Sequence, residues 1–182
     1  MKQSNAVFIF DFDGVIVDSI TTLYDTYNDF LQQFGHEGNR NEFDFLNGPK
    51  LSFIISYLKR KYDLPPDTQE LTLIYTQLLS SLYQRVSLFE GIEDTFVFLK
   101  ENNYKIAIAS SGKRKDITFV LDKFKLSQYI DSLSTGDDVS KSKPSPEIYL
   151  LAKSFFPNHE YFVIEDSENG LEAVQQFKQN DF

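Results

Sequence analysis

With 182 residues, 41% of them hydrophobic, the chain is long enough for one ordinary domain or for a core carrying an inserted subdomain, and too apolar to be disordered. Its formal charge of −9 repels polyanions, and no basic stripe offsets it, so nucleic acid is not an expected partner. Cysteine is absent, which rules out disulfides, a thiolate nucleophile and a cysteine-ligated metal, and makes a reducing cytoplasm the expected location.

The first element is the apolar run from Ala6 to Phe10 in "VFIFDFDGVIVDS". Rich in Val, Ile and Phe and without polar alternation, it reads as an interior strand of a parallel sheet. It stops at Asp11, too early for a signal peptide, and no apolar run approaches the roughly 18 residues that a membrane span requires. A soluble protein with no membrane partner is therefore expected. Ser19 is placed as the cap of a helix running to about Phe34, which Gly35 ends. Leu51 to Tyr62 and Thr68 to about Arg85 repeat apolar residues every three or four positions, and Pro65 and Pro66 in "DLPPD" keep the two apart.

From Gly91 onward the pattern alternates. A helix at about 92 to 102 precedes the strand "KIAIA", and a helix at about 114 to 124 precedes a weak strand near "DSLST". A helix at about 146 to 155 precedes the strand "YFVIE", and a closing helix starts at about 168. Strand and helix in alternation predict parallel βαβ units. The expected fold class is α/β: a Rossmann-like three-layer core with a parallel sheet, formed by residues 1–17 and 89–182, with an all-helical cap subdomain at 18–88 inserted after the first strand.

The segments that follow each strand carry the chemistry. They hold Asp11 and Asp13, then Ser110, then the loop with Lys143, then Glu165 and Asp166. In open parallel sheets these segments share one rim, where ligands bind. Four carboxylates with a lysine and a hydroxyl repel one another unless a hard cation joins them, and oxygen donors without His or Cys favour Mg²⁺.

Four stretches in order, "DFDGVIVDS", Ser110 closing "KIAIAS", Lys143 in "KSKPSPEIY" and "VIEDSENGLEAV", make the chain resemble the haloacid dehalogenase superfamily, in the subgroup of phosphoglycolate phosphatase and β-phosphoglucomutase. The resemblance implies that Asp11 is the nucleophile, forming an aspartyl-phosphate, and Asp13 the general acid and base. Their two-residue spacing points both side chains of an extended segment the same way. It also implies that Asp11, the Asp13 backbone carbonyl and Asp166 hold Mg²⁺, with Glu165 either a ligand or ordering the site. Ser110 and Lys143 would bind the phosphoryl oxygens. Gly14 is expected where the backbone turns closely beneath the phosphate, and the N–H groups of Ser111 and Gly112, opening a helix, as a small anion nest.

The substrate implied is a small phosphorylated metabolite, handled by a monomer or weak homodimer. The cap histidine of β-phosphoglucomutase has no counterpart, since Leu23 stands at its place, which disfavours a phosphomutase. Lys50 is the candidate substrate contact from the cap, with an exposed helix-start lysine as the alternative. A receiver-type signalling module or a noncatalytic metabolite-binding relative is the competing reading of another class; a receiver places its phosphorylated aspartate on the third strand and has no helical insertion. The alternative readings are Ser110 as a helix N-cap, Lys143 as a loop lysine, and Glu165 and Asp166 as caps of the last helix. Asp137 and Asp138 read as an exposed turn, and His36 and His159 as surface residues. Many relatives continue with a further strand, so an exposed sheet edge is expected near Phe182.

Overall fold

The computed structural model describes residues 5–47 and 51–179. Lys50, the candidate cap contact, lies outside the described residues. Contacts divide the chain into two compact units, residues 1–18 with 87–182, and residues 19–86.

The first unit holds four strands, β1 (Ala6–Phe10), β2 (Lys105–Ala109), β3 (Ser132–Ser134) and β4 (Glu160–Ile164), in the order β3-β2-β1-β4. All pair in parallel. Central β1 is apolar throughout because both faces are covered. Val7 and Ile9 join a buried cluster with Ile148, Tyr149, Ala173 and Phe177, contributed by α8 (Glu147–Ser154) and α9 (Glu168–Gln179). On the opposite face Phe10 meets Phe96 of α6 (Ile92–Glu101) edge-on, with ring centroids 5.1 Å apart, and Phe8 stacks on Phe162 at 5.0 Å. The three layers are therefore helix, parallel sheet and helix. β4 is one of the two edge strands, and its Phe162 is 43% exposed. α7 (Arg114–Lys123) completes the helices of this unit.

Residues 19–86 form a helical unit of α1 (Ser19–Gln32), α2 (Arg40–Leu46), α3 (Leu51–Tyr62), α4 (Thr68–Ser80) and the short α5 (Leu82–Arg85). Phe30, Leu31, Phe43, Ile55, Leu58 and Leu71 lie in one buried cluster. Asp67 caps α4 by accepting from the N–H groups of Gln69 and Glu70 at 2.8 and 2.9 Å. The Pro65–Pro66 break is closed by Lys59, whose ammonium donates to the carbonyls of Leu64 and Pro66.

Several boundaries differ from expectation for physical reasons. α1 begins at Ser19 itself, because extended backbone at Asp18 donates to the Ser87 carbonyl at 3.0 Å. It ends at Gln32, two residues early, since Gly35 adopts φ 76° and the N–H groups of Gly35 and His36 close on Gln32 and Leu31. α2 is an unanticipated short helix, capped by the Asn39 side chain. His36 and His159 are partly exposed and pack against the rings of Tyr62 and Phe156. Asp137 and Asp138 are exposed in a turn, as expected, and this 3-10 turn is tied to α7, where Asp138 accepts from Arg114 at 2.6 Å and Asp137 from the Arg114 N–H at 2.8 Å.

Candidate active site

Sheet register determines which side chains meet. Phe10 pairs with Ile108 on one side and Ile164 on the other, so Asp11 and Glu165 leave adjacent strands in step. Parallel neighbours lie about 4.8 Å apart, which brings the two carboxylates together without any local sequence signal. The Asp11 N–H still donates to the Ile164 carbonyl at 2.9 Å, so the backbone beneath the acid is held in the ladder. Its side chain sits in the rim with 7% of the residue exposed.

Lys143 reaches this rim from the loop between β3 and α8. Glu147 shapes that loop, its Oε2 accepting from the Ser140 N–H and hydroxyl and the Lys141 N–H at 3.0, 2.9 and 3.1 Å. The Lys143 ammonium donates to Asp11 Oδ1 at 2.6 Å and to Glu165 Oε2 at 2.8 Å. Glu165 Oε2 also accepts from the Tyr149 hydroxyl at 2.7 Å, and Oε1 from the Ser167 hydroxyl at 2.6 Å.

Two glycines permit this crowding. Gly14 has φ 80°, and a Cβ there would lie 2.0 Å from Asp166 Oδ2. A glycine at this position leaves room for the Asp166 carboxylate. A Cβ on Gly170 would lie 1.8 Å from Glu165 Oε1.

Carboxylate oxygens of Asp11, Glu165 and Asp166 lie within 4.8 Å of one another. Asp13 is half-buried two residues beyond Asp11, with its backbone bridged to Val17, and its carboxylate is not in that group. Burial pushes the Asp11 carboxyl up to about 7, aided by the Glu165 charge and opposed by Lys143. Burial and then Glu165 also raise Asp166. Burial opposes ionisation of Glu165 too, but its hydrogen bonds from Lys143 and Ser167 hold it below the ordinary value. Two acids that resist ionisation beside a third that is ionised form an all-oxygen donor set fitted to a hard divalent cation, whose charge would reverse both upward shifts.

Ser110, 1% exposed, immediately follows β2, and its N–H donates to the Ser134 carbonyl at 3.1 Å. Its Oγ accepts from the Gly112 N–H at 3.0 Å. That N–H is therefore already committed, and α7 begins only at Arg114, so Ser111 and Gly112 lie in the turn ahead of the helix rather than at its opening. Tyr149, Ser167 and Gly170 were not anticipated as site residues. A signal existed for the last two, since Ser167 Oγ accepts from the Gly170 N–H at 3.1 Å in the spacing of a helix N-cap. Tyr149 stands inside "KSKPSPEIY", where nothing in the sequence separates it from a core aromatic.

The site thus places a buried strand-end aspartate, bonded to a lysine and grouped with two further acids, at the rim of a parallel α/β sheet of Rossmann-like class. A family model described as haloacid dehalogenase-like hydrolase matches residues 8–179, and the chain belongs to that family. A phosphorylated carbohydrates phosphatase of Thermotoga maritima is 26% identical over 173 residues, covering 92% of this chain and 79% of the relative. Hexitol phosphatase B of Escherichia coli K12 is 26% identical over 171 residues, 91% of this chain and 77% of the relative. The crystal structure of a haloacid dehalogenase-superfamily hydrolase, subfamily IA, variant 1, from Geobacter sulfurreducens matches with a TM-score of 0.78 at 21% identity, over 95% of this chain and 84% of that one.

Proposed function

We propose that the chain is a Mg²⁺-dependent phosphatase of small phosphorylated metabolites, with phosphorylated sugars and sugar alcohols as the substrate class. The observation that carries this reading is the buried Asp11 carboxylate, 2.6 Å from the Lys143 ammonium and grouped with Glu165 and Asp166. Relatives named for phosphorylated carbohydrates and hexitols support the substrate class.

In this mechanism an Asp11 oxygen attacks phosphorus while the bond to the ester oxygen breaks, and Asp13 delivers a proton to that oxygen. Water then attacks the aspartyl-phosphate, with Asp13 accepting its proton, and phosphate leaves as Asp11 is regenerated. Lys143 and Ser110 hold the phosphoryl oxygens as charge spreads over them. Asp11 and Asp166, with the Asp13 carbonyl, would hold Mg²⁺, which when bound supplies neutralising charge to the phosphoryl oxygens. Residues 18–88 are assigned the choice of substrate.

Purified protein is to be assayed for phosphate release from a panel of sugar phosphates, sugar-alcohol phosphates and an aryl phosphate. Release that requires Mg²⁺, stops on chelation and is lost in Asp11→Asn is the expected result. Phosphate release that persists in Asp11→Asn overturns the mechanism.

A further inference from the structure

Tyr149 stands at the centre of the site without a part in that mechanism. It is fully buried on α8, with 0% of its surface exposed. Its hydroxyl and the Lys143 ammonium converge on the same oxygen, Glu165 Oε2, at 2.7 and 2.8 Å. The ammonium also lies over the Tyr149 ring, 5.1 Å from its centroid, so ring face and hydroxyl act on one ion pair together. Ser167 occupies the other oxygen of Glu165.

We propose that Tyr149 is a positioning residue for phosphoryl transfer, fixing Glu165 and Lys143 as one unit so that the ammonium is held against Asp11. The inference rests on the phosphatase reading and extends it. An ammonium has three donors, and with one on Asp11 and one on Glu165 a third is left to meet a phosphoryl oxygen. The direction of that third donor depends on the other two being stationary. A lysine on a four-carbon stem does not hold itself still, whereas a carboxylate pinned by a tyrosine on one oxygen and a serine on the other does hold it.

The test compares Tyr149→Phe, which keeps the ring and removes only the hydroxyl, with Tyr161→Phe, which removes a hydroxyl bound to the Phe156 carbonyl elsewhere in the same unit. In Tyr149→Phe, kcat falls by about ten- to a hundredfold with KM little changed, as for other partners that orient a reacting group. The ¹⁵N-edited NMR signal of the Lys143 ammonium, assigned by its loss in Lys143→Arg, broadens or disappears. Tyr161→Phe keeps both kcat and signal. Wild-type kcat and an unchanged ammonium signal in Tyr149→Phe overturn the inference. Should that variant fail to fold, Ser167→Ala, at an exposed position, decides instead: a lowered kcat with a broadened signal supports the proposal, and wild-type behaviour overturns it. Failure of the phosphatase reading shows separately, as phosphate release that survives Asp11→Asn, while the ammonium signal is read without turnover.

Discussion

A methyl group on Gly170 would stand 1.8 Å from Glu165 Oε1, and one on Gly14 would stand 2.0 Å from Asp166 Oδ2. The two positions predict different outcomes. Gly170 lies in α9, where alanine gains about 1 kcal/mol of helix propensity. Gly170→Ala is therefore expected to keep its melting temperature within a few degrees while losing at least about tenfold in phosphate release, because the displaced carboxylate no longer orders Lys143. Gly14 has φ 80°, so Gly14→Ala adds backbone strain of roughly 1–3 kcal/mol to the clash and should lower both stability and activity. Thermal unfolding alongside phosphate release separates the cases. The sequence marked Gly14 as a turn beside the acids, but which carboxylate occupied the space was unreadable, since Asp166 follows a different strand.

Among the elements, the link between β2 and β3 depends on Asp131. Its N–H donates to the Ile106 carbonyl at 2.8 Å, and its carboxylate accepts from the Ile106 N–H at 2.9 Å, Lys100 at 2.7 Å and Lys105 at 2.9 Å. Burial opposes ionisation, but these donors outweigh it and hold the carboxyl below its ordinary value of 3.8. A depressed folded pKa means that the stabilisation is present above the unfolded value and disappears as pH falls through the folded one. Asp131→Ala should thus cost about 1–3 kcal/mol at pH 7, from one lost charge-assisted network and an unpaired N–H. Urea titrations of wild type and variant should converge as the solution is acidified below the ordinary carboxylate range. Equal stability at pH 7 contradicts the assignment. The strand "DSLST" was legible as weak, yet its anchor was not, because the lysines sit 31 and 26 residues away.

For the whole molecule, the two units have separate buried clusters, one around β1 and one around α1, α3 and α4. Phe30, with 0% exposure in the second, is expected to cost about 3–5 kcal/mol when replaced by alanine, read as a lowered urea midpoint. If residues 19–86 choose the substrate, exchanging them for the matching segment of hexitol phosphatase B should change which phosphate ester is preferred while dependence on Asp11 and Mg²⁺ stays. A chimera with the parent's substrate ranking removes that assignment. Among the described residues no helix is long and apolar enough to cross a membrane, in line with the short apolar runs of the sequence.

What the sequence by itself determined was whatever is local: the apolar strand ending in Asp11, the helical periods, the proline break, and the four motifs whose order placed the acids and the lysine at strand ends. The elements follow from side-chain period and backbone preference over a few residues, and the motifs from the family resemblance they carry. Only the tertiary structure decided that Glu165 stands level with Asp11, that Lys143 joins the two, that Tyr149 turns a core ring into a support for that pair, and that Gly14 makes room for Asp166. Each of these depends on strand register and on helices returning over the sheet, which bring together residues as distant as Asp11 and Lys143, 132 positions apart, whose meeting no local pattern encodes.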